Sequence, residues 1–436
     1  MANTITVAGG GSGHTPGILL TALKFKEDFP IKEVRLYDID EERNSDMGII
    51  VDYLLKKHNT GIKLVVTEDP EEAFTGCDFV FSQIRTGGME MREKDEKIPL
   101  KYGLVGQETC GLGGFSYGMR SMKDFLEMVG FIEKYAPDAW ILNYTNPESI
   151  ISESVRRQFP NIKIINACDM TIGIEELLEN SFGYDRRNFI PQYYGLNHFG
   201  WYKELYDVSR GKDVLPEVIE KIKNEGFDVS DMVPSWAHTY RVMEEMVKNI
   251  FPDHLPNNYL QYYLYEDKAL EEDPNYTRAN EVMDSRLKEI KDTVAKIKEN
   301  RELDTIGYES ESHGLYIIQI AISILHNKND HFMLIVPNKG AIPNLREDAV
   351  VEIPCYVNAR GVEPTSLRYD IPDLHKGMME AQMASEKLLV DAFFEQSYQK
   401  ALEAFALNQT VPNATVAKKI LDEFIEANGD YWVDLK

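Results

Sequence analysis

The run Gly9-Gly10-Gly11-Ser12-Gly13 stands between an apolar stretch, Thr4–Ala8, and a segment with helical spacing from about Thr15 to Lys24. Small residues at such a junction let backbone approach a pyrophosphate, whose charge a helix N-terminus stabilises. A strict dinucleotide fingerprint has glycine where His14 stands, so the glycines alone fit both a cofactor loop and a plain tight turn. Asp38 closes a second apolar run, Glu33–Tyr37, where a carboxylate accepts hydrogen bonds from an adenosine ribose. That acid points to NAD rather than NADP. The alternative is that Asp38 or Asp40 caps a helix beginning near Glu41.

Further polar groups follow other apolar runs: Arg85 after Asp78–Ile84, Asn146 after Trp140–Asn143, and Cys168-Asp169 after Lys163–Asn166. A free cysteine is most often a small buried apolar group. Paired with His198, however, Cys168 suits an open catalytic metal completed by substrate and water, since two side chains cannot close a structural zinc site. Tyr259 lies in a tyrosine-rich segment that composition alone reads as core packing. Arg92 and Arg278 can each grip an anion with a bidentate fork, although many arginines are solvated surface charges. No serine-hydrolase elbow, Walker loop or His-Glu-x-x-His occurs.

These residues need a scaffold, and the first half of the chain supplies one. Short apolar runs alternate with helix-period segments such as Arg120–Tyr135, whose Met122, Phe125, Leu126, Val129 and Ile132 share a face. Adding Lys63–Val66 gives six strands, the pattern of a doubly wound parallel sheet with its site outside the strands' carboxyl ends. After about Tyr194 the alternation stops. Helices are predicted over Glu281–Glu299, Glu311–Leu325, Lys376–Gln396 and Thr415–Ala427, with strands near Phe332–Val336 and Val350–Val357. The expected fold class is therefore α/β. A Rossmann-like domain spans residues 1–194 and a helix-rich α+β substrate and catalytic domain spans 195–436, in an architecture that resembles lactate and malate dehydrogenases.

Composition narrows the partners. The 436 residues are 43% apolar and 27% charged, an ordinary globular profile, and 72 acidic against 47 basic residues leave a formal charge of −25. A field of that sign repels phosphate backbones and anionic lipid, which argues against nucleic acid and membrane surfaces. The longest apolar run, Leu315–Leu325, is too short for a bilayer of about 30 Å. Cys77, Cys110, Cys168 and Cys355 have no disulfide spacing, and residues 1–5 lack the character of a signal peptide, so a cytoplasmic protein is expected, as a homodimer or homotetramer.

Cys168-Asp169-Met170, followed by Gly195-Leu196-Asn197-His198-Phe199-Gly200-Trp201, resembles glycoside hydrolase family 4, and within it the 6-phospho-α-glucosidases. The likeness extends through Val7–Gly17, Ile98–Cys110, Tyr117–Arg120, Asn143–Pro147, Leu255–Leu264 and Thr277–Met283. It implies bound NAD and a divalent metal, usually manganese, and a reaction outside the two-carboxylate scheme of most glycosidases. Carbon 3 of the sugar is oxidised, the acidified hydrogen on carbon 2 is removed, the glycosidic oxygen leaves, water adds, and the hydride returns.

The resemblance also implies roles. Cys168 and His198 match metal ligands, Tyr259 the carbon-2 base, Glu108 a residue that raises that tyrosine's basicity, and Asp169 the general acid. Arg92, Asn146 and Arg278 match substrate-holding positions, the arginines being suited to a 6-phosphate. Two departures stand out. Thr171 replaces a proline of the α-specific motif, which bears on how Asp169 is aimed, and Gly13-His14 replaces a pair that is often Thr-Phe. A 6-phospho-β-glucosidase usually has Asn after the cysteine, against Asp169 here. A 2-hydroxy-acid dehydrogenase would need a His/Asp dyad and no metal, and a non-enzymatic NAD sensor would have no use for Cys168, Asp169, His198 and Tyr259.

Overall fold

β-Branched and aromatic residues in the short apolar runs favour strands, and in the computed structural model, which describes residues 2–271, 273–301, 303 and 312–436, they form a parallel sheet. Its strands are β1 (Asn3–Ala8), β2 (Ile31–Tyr37), β3 (Lys63–Thr67), β4 (Phe79–Ser82), β5 (Trp140–Asn143) and β6 (Ile164–Asn166), in the order β3-β2-β1-β4-β5-β6. This is the Rossmann order, and the direction of winding reverses between β1 and β4. Alternate side chains feed opposite cores: Phe79 and Phe81 enter one apolar cluster and Val80 the other.

The sheet does not stop there. Asn166 of β6 pairs with Ile335 of β11 (Asp330–Pro337), and antiparallel strands β12 (Val350–Asn358), β7 (Phe189–Leu196), β8 (Phe199–Asp207) and β10 (Leu255–Pro256) continue it. Strands β9 (Lys212–Asp213) and β13 (Gly361–Pro364) pair off this path, with β8 and β12. The β7–β8 hairpin turns at Asn197-His198, with Leu196 opposite Phe199. A division between residues 194 and 195 falls inside β7.

Several helices differ from the periodicity. The helix expected over Arg120–Tyr135 begins at Gly111, because Gly113 and Gly114 are helical. Glycine costs helix stability in solution by about 1 kcal/mol, yet a Cβ at Gly113 would stand 2.3 Å from the Gln107 carbonyl oxygen. Close approach, not propensity, decides those positions. The segment predicted as one helix over Glu281–Glu299 starts at Arg278 and passes through a π-turn at Met283–Leu287. The predicted Glu311–Leu325 helix appears as Ser312–His326 and is buried along Ile317, Ile318, Ile320 and Ala321; Glu311 lies outside the described residues. Among the described residues no helix is long and apolar enough to cross a membrane.

One buried histidine ties the antiparallel part of this sheet to a helix and sets an acid limit on stability. His375, on helix Asp373–Glu395, stacks on Trp201 of β8 with ring centroids 4.0 Å apart, and its Nδ1 lies 2.7 Å from the Tyr194 hydroxyl. Burial, with the adjacent His254, pushes its pKa down to about 3. The unfolded value is about 6.5, so the stability that the neutral ring contributes is complete above about pH 6.5 and is lost as pH falls from there towards the folded value. His375→Phe keeps a stacking ring that cannot charge. Its melting temperature should fall less between pH 7.5 and pH 5 than that of the unaltered protein, and equal falls would show that His375 is not the acid-sensitive group.

Candidate active site

The carboxyl ends of the parallel strands open into a cleft of about 690 Å³. The glycine loop enters it directly from β1. Gly9 has φ +81°, and a Cβ there would stand 2.8 Å from the Gln83 carbonyl oxygen at the end of β4. Gly9 and Ser12 line the cleft, whereas Gly10 and Gly11 serve packing: a Cβ would come within 3.0 Å of Leu36 Cα at Gly10 and 2.9 Å of Arg43 Cβ at Gly11. Asp38 Oδ2 accepts from the Gly11 N–H at 2.9 Å while the residue faces the cleft. The helix that follows is capped by Asp40, which accepts from Arg43 N at 3.0 Å. A cradle that side chains would fill, a helix starting at Thr15 and a carboxylate at the end of β2 fit a dinucleotide.

At the other end of the cleft Cys168 Sγ and His198 Nε2 are 3.3 Å apart, brought together from the end of β6 and the tip of the β7–β8 hairpin. His198 has φ +62°, a left-handed conformation that costs a non-glycine residue about 1 kcal/mol or more and points to a functional constraint. Burial lowers its pKa to about 4, so at neutral pH the imidazole is uncharged and able to ligate a cation. The Cys168 thiol is pushed well up by burial and by the Asp169 carboxylate, a balance that a bound cation reverses. Among the described residues no three His, Cys, Asp or Glu side chains gather as a metal cage. A soft thiolate and one imidazole therefore fit a site left open for substrate and water.

Tyr259 stands beside this pair. Its ring meets His198 edge-on at 4.9 Å and stacks on Trp236 at 6.2 Å. Asn257 Oδ1 accepts from the Tyr259 N–H at 3.0 Å and starts the single 3-10 turn Asn258–Leu260 that carries it. Burial holds the phenol well above its usual pKa, with Tyr262, Cys110 and Glu108 adding to the shift and Arg92 opposing it. A phenolate at this position thus needs a nearby cation.

Glu108 lies part-buried between two arginines. Burial alone would raise its pKa, but Arg85 and Arg92 overcome that and hold it below the usual carboxylate range. Arg92 Nη2 is 3.1 Å from Glu108, and its Nε donates to Glu96 Oε1 at 2.8 Å, while Arg278 Nη1 pairs with Glu281 at 2.6 Å. Asn146 Oδ1 is buried without a hydrogen-bond partner in the same cleft. Asp169 lines the cleft at the start of helix Met170–Phe182. Thr171 sits in the first turn of that helix, and its carbonyl accepts from the Tyr202 hydroxyl at 2.9 Å, so the turn is held without a proline.

The cleft thus unites every residue given a catalytic, cofactor, metal or substrate role from the sequence except Gly10 and Gly11. Sequence reasoning missed Trp236, on helix Pro234–Asn249, and Gln107 and Thr109, which flank Glu108. It also missed Arg286, whose Nη1 is 3.1 Å from His14 Nε2. The π-turn carrying Arg286 interrupts an otherwise even helical periodicity.

A doubly wound sheet with a glycine cradle at its switch point, joined to a Cys–His pair and a half-buried tyrosine, defines a Rossmann-type enzyme class that combines dinucleotide and metal sites. The chain belongs to family 4 of the glycosyl hydrolases: the family's model matches residues 4–183, and the model of its C-terminal domain matches residues 193–411. It is 45% identical to the maltose-6'-phosphate glucosidase of Clostridium acetobutylicum, over 99% of each chain. Among solved structures it is similar to a 6-phospho-α-glucosidase from gut microorganisms in complex with NAD and Mn2+, with a TM-score of 0.96 and 41% identity over 100% of both chains. A second structure under that name, in complex with NAD and glucose 6-phosphate, also has a TM-score of 0.96, at 40% identity over 100% of both chains.

Proposed function

We propose that the protein hydrolyses α-linked 6-phosphoglucosides such as maltose 6'-phosphate, releasing glucose 6-phosphate, with NAD and Mn2+ or a similar divalent cation in the cleft. The observation that carries this reading is the meeting of the Gly9–Ser12 cradle and Asp38 with Cys168, His198 and Tyr259 in one cavity. The names and bound groups of the similar enzymes support it.

When bound, NAD would supply a hydride acceptor and donor for carbon 3 of the sugar, and the cation would supply a Lewis acid for its oxygens. The protein's own groups do the rest. Gly9 and Ser12 face the dinucleotide, Gly10 and Gly11 let their loop pack closely against Leu36 and Arg43, Asp38 takes the ribose hydroxyls, and Cys168 with His198 holds the cation. Tyr259 removes the hydrogen from carbon 2. Glu108, fixed by Arg85 and Arg92, sets the charge around that tyrosine, and Asp169 delivers a proton to the departing glycosidic oxygen. Arg92, Asn146 and Arg278 hold the phosphorylated sugar, Asn146 through its unpartnered carbonyl oxygen. Residues 1–194 thus supply the cofactor cradle together with Arg92, Glu108, Asn146, Cys168 and Asp169, and residues 195–436 add His198, Tyr259 and Arg278.

The α preference rests on Asp169 following Cys168; a 6-phospho-β-glucosidase is the second reading, and a 2-hydroxy-acid dehydrogenase the one from another class. Four buried free thiols suit a reducing cytoplasm, and the exposed Ile190, Tyr206 and Val208 at the open end of the β7–β8 hairpin favour a homodimer or homotetramer. The test is hydrolysis of paired α- and β-linked p-nitrophenyl glucoside 6-phosphates, with and without NAD and Mn2+. Release from the α compound alone, only with both cofactors and without net NADH, is the expected result. Cleavage of the β compound alone, or steady NADH release, would refute the assignment.

A further inference from the structure

The Cys168–His198 pair works as a metal site only if the imidazole presents a bare nitrogen to the sulfur side, and nothing in either residue ensures that. Thr109 Oγ1 lies 3.1 Å from His198 Nδ1, the nitrogen facing away from Cys168. Thr109 is itself held by Gln107, whose Oε1 accepts from the backbone N–H groups of Thr109 and Cys110, both at 2.6 Å, and lies 3.0 Å from Thr109 Oγ1. The two backbone donors establish which end of the Gln107 amide is oxygen.

We propose that Thr109, oriented by Gln107, is a positioning residue that holds His198 as the tautomer protonated on Nδ1, leaving Nε2 free to ligate. A hydroxyl has one hydrogen and two lone pairs. With that hydrogen directed to Gln107 Oε1, Thr109 accepts from His198 Nδ1–H. A neutral imidazole carries a single N–H, so its other nitrogen is bare and faces Cys168 at 3.3 Å. The ring is further confined by the Tyr259 edge contact and by the left-handed hairpin tip.

The turn is rigid for an independent reason. Residues after Gln107 begin the long helix Gly111–Tyr135, and Gly113 packs where a Cβ would stand 2.6 Å from the Asp95 carbonyl oxygen. One short segment, Gln107-Glu108-Thr109, therefore places a carboxylate between two arginines and a hydroxyl behind a metal ligand. Outer partners of this type tune affinity by about 10–100-fold.

The inference rests on the reading of Cys168 and His198 as ligands, and the experiment separates the two. Mn2+ binding is measured by electron paramagnetic resonance on the unaltered protein, Thr109→Val and Thr109→Ser, with NAD affinity and melting temperature as controls. Valine keeps the shape and removes the hydroxyl, so Mn2+ should bind about 10–100-fold more weakly, serine should restore most of the loss, and NAD affinity should hold. Nitrogen-15 spectra of ring-labelled histidines in the metal-free unaltered protein, with His198→Asn to assign the signal, should show protonation on Nδ1. Failure of the unaltered protein to bind Mn2+ would overturn the metal reading itself. Normal Mn2+ binding by Thr109→Val, or a His198 proton on Nε2, would overturn the role of Thr109 alone, and the spectra decide even if the valine variant does not fold.

Discussion

Cys168→Ser should lose Mn2+ affinity by about 100-fold or more, and chelation of the unaltered protein should abolish hydrolysis. The magnitude follows from the donor set. Among the described residues no third His, Cys, Asp or Glu joins Cys168 and His198, so removing the thiolate leaves His198 as the remaining protein ligand. A serine hydroxyl is nearly isosteric but does not ionise at neutral pH, so it offers the cation a neutral oxygen in place of an anionic sulfur. The buried thiol is protonated when no cation faces it, because burial and Asp169 raise its pKa. Metal uptake must therefore release a proton, and affinity should rise with pH. Titration of Mn2+ into both proteins checks the first point. Full activity of metal-free protein in EDTA would remove Cys168 from the mechanism.

Tyr259→Phe should lower kcat by about 10²–10⁴-fold, the range typical of a general base. Phenylalanine retains the stack on Trp236 and the edge contact with His198, so folding, NAD binding and Mn2+ binding should persist. What disappears is the oxygen. Because burial holds the phenol well above its ordinary value, its deprotonation depends on the cation beside it. Activity of the unaltered enzyme should therefore rise with pH across the range where the metal-loaded phenol ionises. A phenylalanine variant with nearly full kcat would reduce Tyr259 to a packed core tyrosine.

Much of this site was legible because its residues follow strands. The glycine loop, Asp38, Asn146 and Cys168-Asp169 each close an apolar run, and parallel strands carry their carboxyl ends to one edge. Roles were a different matter. Spacing alone leaves Cys168 open between a small buried apolar group and, with His198, a metal ligand, and leaves Tyr259 as packing; the family resemblance is what implies the metal and the base. Gly111–Tyr135 was truncated because helix propensity penalises glycines that close packing selects. The β7–β8 hairpin was read as the end of the alternation. Its aromatic strand Phe199–Asp207 is buried on both faces for much of its length and shows no simple period of two. Thr109 was invisible for a further reason: a hydroxyl hydrogen-bonded to a histidine 89 residues away leaves no local pattern.

The central claim is that hydrolysis proceeds by breaking the carbon–hydrogen bond at carbon 2 of the phosphorylated sugar, with Tyr259 as the base. A two-carboxylate glycosidase never breaks that bond. The most direct measurement is the isotopic composition of glucose 6-phosphate formed from an α-linked 6-phosphoglucoside in heavy water, read by nuclear magnetic resonance or mass spectrometry. Deuterium at carbon 2 of the product is the predicted result. Product formed at the normal rate with only hydrogen at carbon 2 would contradict it.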